Sequence, residues 1–380
     1  MIDSLESRLK SELNIRRKEH LYRETRVHDC DLLNLSSNDY FNLRNNSKVL
    51  SLANETANKY GTGSGASPLL SGYLPCHEEL VEKLLSWKKK KYGMLLNTGF
   101  MANQAILKNL PKKNDLILAD KYIHHSMAQA LNRGSTKFKR YNHLDLEELE
   151  ELLINNINKY DTMFVVTESV FSMDGDYPDL KHLIKLKRKY PFLLILDEAH
   201  GTGVLGATGA GLSEEADVQD EVDIIVGTFG KALAGNGAYV LTNSSSIIEY
   251  LTNKAGEYIY STFLSPHQAG VALATIDIIM DAHKKREALR DISQWLRNQI
   301  MNIVKVETQF NTPIVPLLVG NPESALKLQE LCMNKGILVG AVRPPTVQAD
   351  SSRIRISLNS ELTKEKLTPF ISVFKEWAKR

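Results

Sequence analysis

The chain has 380 residues, 43% of them hydrophobic, which is enough to build the cores of one large α/β domain and a smaller one. Its net charge of +2 gives no overall field for nucleic acid, and it has no run of eighteen apolar residues that could span a membrane. Cys30, Cys76 and Cys332 lie far apart and form no CxxC spacing, so we expect neither a disulfide framework nor a metal site, in a cytoplasmic protein.

The first residues predict a charged helix from about Ser4 to Arg26. Its apolar positions are Leu5, Leu9, Leu13 and Ile15. Because this stripe is too narrow to fold alone, we expect the helix to pack on the body of the protein or on a partner subunit. A short strand at 32–35 and a turn rich in Asn and Ser at 36–40 follow.

A glycine-rich loop at 61–72 precedes an amphipathic helix from His77 to Trp87. The loop is not followed by GK[ST], so it is not a Walker-type phosphate loop. The lysines at 88–91 are expected to form a solvated helix end, because cations favour helix C-termini. A strand at 92–96 then leads through Asn97, Thr98 and Gly99 into another helix. This order presents free backbone N–H groups and the positive end of a helix dipole to an anion.

Four more apolar runs end abruptly in polar residues, at 116–120, 164–168, 193–197 and 224–228. Runs of this kind are typical of strands buried on both faces of a parallel sheet, with a site at their C-terminal ends. Their alternation with helices predicts a mostly parallel sheet covered by helices on both faces. A helix from about Pro266 to Ile303, strands at 314–319, 337–340 and 353–358, and a helix at 322–335 predict a smaller α/β domain.

Asp197 and Lys231 follow two of these buried strands. A carboxylate at the end of a buried strand is costly unless paired, and both a helix N-cap and the pyridinium nitrogen of a bound cofactor would satisfy Asp197. Lys231 follows a hydroxyl residue and is preceded by Gly230. Partial desolvation would lower the pKa of such a lysine and suit it to a Schiff base with a carbonyl cofactor, whereas the alternative is an ordinary solvated lysine.

The segments 197–206 (DEAHGTGVLG) and 227–231 (GTFGK) together resemble the α-oxoamine synthases, a branch of the fold-type-I, aspartate-aminotransferase-like pyridoxal phosphate enzymes. The similarity extends from 34–40 (NLSSNDY) to 353–357 (RIRIS). It implies an α/β fold with a large, mostly parallel sheet domain and a smaller C-terminal α/β domain. The implied boundaries are an N-terminal helix and strand segment at 1–45, a cofactor-binding domain at 46–275 and a small domain at 276–380.

The resemblance implies that pyridoxal 5'-phosphate is the cofactor. The residues it assigns to cofactor binding are Lys231, Thr98, Gly99, Phe100, His124, Ser172, Asp197, His200, Thr228 and Thr262. Lys231, His124, Asp197 and His200 would be catalytic: Lys231 as Schiff-base lysine and proton acceptor, Asp197 on the ring nitrogen, His124 stacked on the ring and His200 on its hydroxyl. His125 is then an ordinary helix-terminal residue. Thr98 stands where the family usually has serine, and Ser169 where it usually has glycine.

Four residues are implied for substrate binding, namely Arg23, Asn38, Arg343 and Arg355. Arg353 and Arg355 share one face of a strand, and the match selects Arg355 as the carboxylate clamp. A solvated arginine remains the alternative for Arg23, and a loop arginine paired with a neighbouring acid for Arg343. The loop at 61–72 and Thr262 match segments that complete the neighbouring subunit's site, so the resemblance implies a homodimer.

The resemblance implies condensation of an amino acid with an acyl thioester and release of carbon dioxide. The segment 341–347 (AVRPPTV) most resembles the 8-amino-7-oxononanoate synthase branch, which implies L-alanine and a pimeloyl thioester on coenzyme A or acyl carrier protein, in biotin biosynthesis. The alternatives are a glycine C-acetyltransferase or another α-oxoamine synthase. Transamination and a non-catalytic scaffold are two further alternatives from other functional classes.

Overall fold

We describe a computed structural model of the chain, covering residues 2–134, 136–303 and 310–379. Its internal contacts divide it into two compact units. The smaller unit contains Met1–Ser37, Met173–Gly175 and Leu289–Arg380, and the larger contains Asn38–Ser172 and Asp176–Ala288. The N-terminal segment thus groups with the C-terminal one. The domain boundaries at 45 and 275 stay a prediction, and residues 304–309 of the predicted small domain lie outside the described residues.

Helices and strands alternate along most of the chain. The helices are α1 (Ile2–Lys18), α2 (Ser47–Tyr60), α3 (Pro75–Lys88), α4 (Gly99–Asn109), α5 (His125–Arg133), α6 (Leu146–Asn156), α7 (Leu180–Lys189), α8 (Leu212–Glu215), α9 (Ser245–Lys254), α10 (Gly256–Ile259), α11 (Pro266–Met280), α12 (His283–Met301), α13 (Pro322–Met333) and α14 (Lys364–Trp377). The strands are β1 (Leu33–Asn34), β2 (Tyr92–Leu96), β3 (Leu116–Asp120), β4 (Lys137–Tyr141), β5 (Met163–Glu168), β6 (Leu193–Asp197), β7 (Ile224–Thr228), β8 (Ala238–Thr242), β9 (Ile314–Gly320), β10 (Ile337–Leu338), β11 (Gly340–Val342) and β12 (Ser352–Ser357). A π-helical turn occupies Pro68–Gly72.

The larger unit is built on a seven-stranded sheet in the order β2-β8-β7-β6-β5-β3-β4. All neighbouring strands are parallel except β8, which runs antiparallel to both β2 and β7. Every residue of β3 and β5 is buried, as their continuous apolar runs predict, and β8, which was not predicted, is also buried throughout. The mostly parallel α/β architecture expected from the sequence is therefore confirmed.

The sheet register brings the polar strand ends to one edge. Glu168 pairs with Asp197, and Asp197 with Val226. Leu96 and Thr228 are both opposite Ala238, so the end of β2 lies level with the end of β7. Ligands of open α/β sheets bind outside the carboxyl ends of the strands, which places the candidate site at this edge.

One predicted helix is two helices in the structure. The segment expected to run from about Pro266 to Ile303 breaks after Met280, where Asp281 caps α11 and α12 begins at His283. The buried guanidinium of Arg286 donates to the carbonyl of Ile279 and to that of Ala207. It thereby satisfies a carbonyl at the end of α11 that a continuous helix would have bonded internally.

The prediction of a solvated helix end at 88–91 holds for Lys89 and Lys91, which are exposed, and is wrong for Lys88 and Lys90. Lys88 and Lys90 are buried, at 0% and 5% exposure. The Lys88 ammonium donates to Thr202 Oγ1 and to the Ala210 carbonyl, both at 2.8 Å, while Lys90 donates to two loop carbonyls. Burial lowers the pKa of each lysine to about 8. The lysines are buried because the chain turns back at Lys89, whose backbone is left-handed.

The smaller unit contains a three-stranded antiparallel sheet, β11-β12-β9, and a parallel pair, β1-β10. In this unit α1 ends at Lys18 rather than near Arg26, because His20 adopts a left-handed backbone conformation. The helix has no buried residue, and Leu5, Leu9 and Leu13 are 40–46% exposed. Packing on the body of the same chain is therefore not observed, and packing on a partner subunit stays a prediction. None of the described helices is both long and apolar enough to cross a membrane.

Candidate active site

The N-terminus of α4 forms one end of the candidate site. Thr98 is its N-cap, and the Thr98 hydroxyl accepts the Met101 N–H at 3.2 Å. Gly99 and Phe100 are the first two helical residues, whose N–H groups have no acceptor within the helix. The predicted anion-binding arrangement of strand, small polar residues and helix is therefore present, and threonine performs the capping role as serine would.

Two further predicted hydroxyl residues lie beside this helix end. Gly99 and Thr228 are close neighbours: a Cβ atom added to Gly99 would lie 3.6 Å from Thr228 Cβ. The end of β7 is therefore within van der Waals contact of the first turn of α4. Asn97, just ahead of Thr98, donates its amide to the carbonyl of Thr262 at 2.6 Å. Thr98, Gly99, Thr228 and Thr262 thus gather in one region of the larger unit. The side chain of Thr262 is exposed, and its role in the site of a partner subunit stays a prediction.

A hydrogen-bonded chain links Asp197 to His124. The Asn103 amide donates to Asp197 Oδ2 at 2.8 Å and to Ser126 Oγ at 3.1 Å. Ser126 Oγ lies 2.8 Å from His124 Nδ1. The Ala199 N–H donates to the other Asp197 oxygen at 2.9 Å. Asn103 and Ser126 were not singled out from the sequence, where each reads as an ordinary polar residue on an otherwise apolar helix face.

These contacts define the protonation state of His124. The Ser126 N–H also donates to His124 Nδ1, at 3.3 Å, so this nitrogen acts as an acceptor and the ring proton is on Nε2. Desolvation lowers the pKa of His124, Asp197 opposes that shift, and Lys231 adds to it. The three predicted catalytic groups are therefore close enough to influence each other's charge. His125 is exposed at the first position of α5, and its expected minor role stays a prediction.

His200, which follows β6, is held by a hydrogen bond with Tyr40. Its Nδ1 lies 2.7 Å from the hydroxyl of Tyr40, and both residues are buried. The same tyrosine hydroxyl lies 3.4 Å from Asn38 Oδ1. The turn at 36–40 thus contributes Asn38 to the neighbourhood of His200, and Tyr40 is the residue that joins them.

Glu168 is a second carboxyl group at the strand edge that sequence reasoning did not assign. It is 4% exposed and accepts the backbone N–H of His124. Burial first, and the neighbouring Asp197 second, raise the pKa of Glu168 well above its usual range. The raised pKa favours the neutral form of Glu168 beside Asp197. Glu168 lies at the end of a buried strand, as Asp197 does. The sequence pattern that identified Asp197 could therefore have identified Glu168 as well.

Lys231 and Ser172 lie in turns after β7 and β5. Lys231 is half-buried, and its carbonyl accepts the Ala234 N–H at 2.9 Å in a tight turn whose last residue has positive φ. The charge of Lys231 acts on His124 and on Glu168. Ser172 is half-buried in a turn. The Phe171 N–H donates to the Asp176 carbonyl at 2.8 Å and closes this turn. Ser169, placed where the family usually has glycine, donates to the Asp197 carbonyl at 3.0 Å.

The residues present fit pyridoxal phosphate. A helix N-terminus with a hydroxyl cap suits the phosphate, the buried Asp197 carboxylate suits a ring nitrogen, and Lys231 suits the aldehyde carbon. The Asn103 Oδ1 and Asn97 Oδ1 atoms are buried without a hydrogen-bond partner in the described chain. Such unsatisfied groups are common where a ligand completes the bonding.

Arg23 and Arg343 lie near each other in the smaller unit. Arg343 donates to the carbonyls of His20 and Tyr22, and Arg23 donates to Thr346 Oγ1 at 3.2 Å. Desolvation, and then the charge of Arg23, lower the pKa of Arg343. The described partners of Arg343 are carbonyls rather than the neighbouring acid considered as one alternative. Its role in substrate binding stays a prediction.

The two arginines of β12 have different partners. Arg353 forms an ion pair with Asp174 and donates to the Ser351 carbonyl at 3.1 Å. Arg355 donates to Ser357 Oγ at 2.7 Å. Both are buried, at 9% and 8% exposure. Asp174 is thus the acidic partner of Arg353, and the role of Arg355 as the clamp for a substrate carboxylate stays a prediction.

Comparison with known proteins agrees with this geometry. The family model for aminotransferase class I and II matches residues 30–374. An 8-amino-7-oxononanoate synthase of Chlorobaculum parvum is 38% identical over 348 residues, covering 90% of this chain and 88% of that protein. Among solved structures, an 8-amino-7-oxononanoate synthase from Francisella tularensis is 28% identical with a TM-score of 0.80, covering 92% of this chain and 99% of that one.

A serine palmitoyltransferase solved with pyridoxal phosphate is 26% identical with a TM-score of 0.87, covering 92% of this chain and 87% of that one. The same fold thus carries the same cofactor in a relative with a different name. The chain therefore belongs to the aminotransferase class I and II family, and within it to the α-oxoamine synthases, which are pyridoxal 5'-phosphate-dependent acyltransferases of fold type I.

Proposed function

We propose that the protein condenses L-alanine with a pimeloyl thioester and releases carbon dioxide, forming 8-amino-7-oxononanoate for biotin synthesis. The observation that carries the chemistry is the hydrogen-bonded chain from Asp197 through Asn103 and Ser126 to His124, together with the electrostatic influence of Lys231 on that histidine. The choice of substrates is supported by relatives named 8-amino-7-oxononanoate synthase at 38% identity.

Each residue has a physical task in this proposal. Bound pyridoxal phosphate supplies an electron sink for negative charge at the amino acid's α carbon. Asp197 would hold the proton on the ring nitrogen, while Asn103 and Ala199 donate hydrogen bonds that keep its carboxylate in place. His124, whose proton is on Nε2, would present a flat ring that covers the cofactor and excludes water. Lys231 would hold the cofactor through its aldehyde carbon and would accept the α proton, since a neutral amine is a suitable base.

The phosphate would bind at the first turn of α4, with Thr98, Gly99, Phe100 and Thr228 around it. His200, oriented by Tyr40, would donate to the ring hydroxyl. Ser172 would contact the cofactor from the turn after β5. For the substrates, the family resemblance assigns Asn38 and Arg355 to the amino acid and Arg23 and Arg343 to the acyl group, and guanidinium groups suit carboxylates.

Substrate choice is tested by measuring thiol release. With pimeloyl-CoA plus L-alanine we expect kcat/KM to exceed that for acetyl-CoA plus glycine by roughly 10-fold or more, because one methyl group in a matched pocket is worth about 1–3 kcal/mol. Pimeloyl acyl carrier protein is assayed in parallel to identify the carrier. A preference for acetyl-CoA plus glycine would overturn the pimeloyl proposal and indicate a glycine C-acetyltransferase. Conversion of the cofactor to its amine form without thiol release would indicate a transaminase.

We also propose a homodimer. The loop containing Pro68–Gly72 and the segment around Thr262 lie side by side, since Phe263 donates to the Ala66 carbonyl at 3.0 Å. Each carries a strongly exposed apolar side chain, Leu70 at 82% and Tyr260 at 86%. Exposed apolar groups on adjoining segments are typical of an interface, and both segments resemble those that complete a partner's site.

Sedimentation velocity tests the dimer. We expect the wild-type protein to sediment as a dimer, and Leu70→Asp to weaken association by roughly 10-fold or more, because a buried unpaired carboxylate costs several kcal/mol. Leu318→Asp is the matched control, since Leu318 is also exposed, at 51%, but lies in the smaller unit. A fully active wild-type monomer would contradict the proposal.

A cytoplasmic location is part of the same proposal. Cys30, Cys76 and Cys332 are free thiols, which suits a reducing compartment. Fractionation of the producing cells, followed by immunodetection, tests it; recovery outside the cytoplasm would contradict it.

A further inference from the structure

His143, just after β4, is held between two carboxylates. Its Nδ1 lies 2.8 Å from Asp120 Oδ1 and its Nε2 lies 3.0 Å from Asp176 Oδ2. The imidazole side chain is 16% exposed. Its ring packs against Tyr122 at 4.6 Å and edge-on against Phe171 at 4.4 Å. None of the steps proposed above uses this residue.

The geometry defines the charge of the ring. Ionised carboxylates only accept hydrogen bonds, so an imidazole that contacts one with each nitrogen satisfies both only when both nitrogens carry protons. The titratable groups facing the ring are Asp120 from the end of β3, Tyr122 from the following turn and Asp176 from the turn after β5. Desolvation opposes the charge, but hydrogen bonds to Asp120 and Asp176 overcome it and raise the pKa of His143 to about 9.

Each carboxylate belongs to a segment that carries a cofactor residue. Asp120 also accepts the N–H groups of Tyr122 at 2.8 Å and Leu144 at 2.9 Å, and its segment runs directly into His124. The Asp176 carbonyl accepts the Phe171 N–H and so closes the turn that contains Ser172. The imidazolium therefore joins the backbone that positions His124 to the backbone that positions Ser172.

We propose that protonated His143 is a positioning residue that clamps these two segments together and thereby fixes His124 and Ser172 around the cofactor. This inference rests on the cofactor roles proposed above for His124 and Ser172. Loss of the proton leaves one carboxylate without its donor and two negative charges facing each other. The clamp then loosens, and the cofactor is held less firmly.

His143→Gln tests the proposal in the holoenzyme. Glutamine is neutral and cannot donate to both carboxylates in the same geometry. We expect the cofactor to be released about 10-fold faster at pH 7, because the variant loses one hydrogen bond between charged groups. Release is measured as the loss of visible absorbance after dilution. Because folding raises the pKa of His143 from 6.5 to about 9, its stabilisation is complete below about pH 6.5 and disappears as the pH rises through about 9. The wild-type melting temperature should therefore approach that of the variant above this pH.

Two further variants make the test decisive. Asp176→Asn removes one carboxylate and should shift this pH transition to lower values, which a purely structural packing role would not do. His283→Gln is the matched control, because His283 lies 3.5 Å from Glu287 in an exposed pair and should change neither measurement. Wild-type cofactor release and an unchanged pH profile in His143→Gln and Asp176→Asn would overturn the proposal. Neither measurement uses an acyl thioester, so an error in the assigned substrates leaves this test unaffected.

Discussion

Replacing Lys231 with alanine is expected to lower kcat for condensation by roughly 10⁴-fold, because the variant loses both the amine that attaches the cofactor and the base that moves the α proton. The fold should survive, since Lys231 is half-buried in a turn and contributes no apolar core. Cofactor should still bind at the N-terminus of α4 through Thr98, Gly99 and Thr228. Borohydride reduction followed by peptide mass spectrometry should fix the cofactor to the Lys231 peptide in the wild type and to no peptide in the variant.

Two controls separate chemistry from folding in the Lys231 experiment. Lys254→Ala removes an exposed lysine at the end of α9 and should leave kcat unchanged. Addition of a small primary amine should restore part of the activity of Lys231→Ala, because the free amine replaces the missing base. Lys231→Arg keeps the positive charge but cannot donate a neutral amine at neutral pH, and it should remain inactive. Normal turnover by Lys231→Ala would disprove the assignment.

Asp197→Asn should lower kcat by about 10³-fold, since a neutral amide no longer holds the proton on the ring nitrogen and the electron sink is weakened. The substitution preserves shape. The Asn103 amide donates to Asp197 Oδ2 at 2.8 Å, while Asn103 Oδ1 is buried without a partner. Rotation of that amide by half a turn would offer an oxygen to the new donor. We therefore expect the melting temperature to change little while kcat falls, and cofactor content, measured by absorbance, to remain close to that of the wild type.

The supporting residue should give a smaller effect in the same assay. Asn103→Ala removes a hydrogen bond to a charged group, worth about 1.5–3 kcal/mol, so kcat/KM should fall by roughly 10–100-fold. Asn109→Ala is the matched control on the same helix, because the Asn109 amide donates only to the Ala105 carbonyl, at 2.8 Å. Equal losses in Asn103→Ala and Asn109→Ala would show that the effect comes from damage to α4 rather than from the lost contact with Asp197.

The larger unit was the more predictable part of the structure. Its strands are short apolar runs that end in polar residues, and such runs indicate a buried parallel sheet without knowledge of any distant contact. The same local pattern placed Thr98 at a helix N-terminus and Asp197 at a strand end. Element ends were less predictable. The break after Met280 depends on Arg286, which contacts a loop carbonyl far away at Ala207, and no local pattern contains that information.

The sequence by itself thus determined the fold class, the family and several of the residues that meet at the sheet edge, because local periodicity and short motifs specify them. Only the tertiary structure decided which of these residues are charged and what holds them. Asn103 and Asp197 are 94 positions apart, yet their contact fixes the carboxylate on which the proposed chemistry depends. The pKa values of Glu168, His143 and Lys88 were decided in the same way, since desolvation and neighbouring charge depend on which distant groups meet when the chain folds.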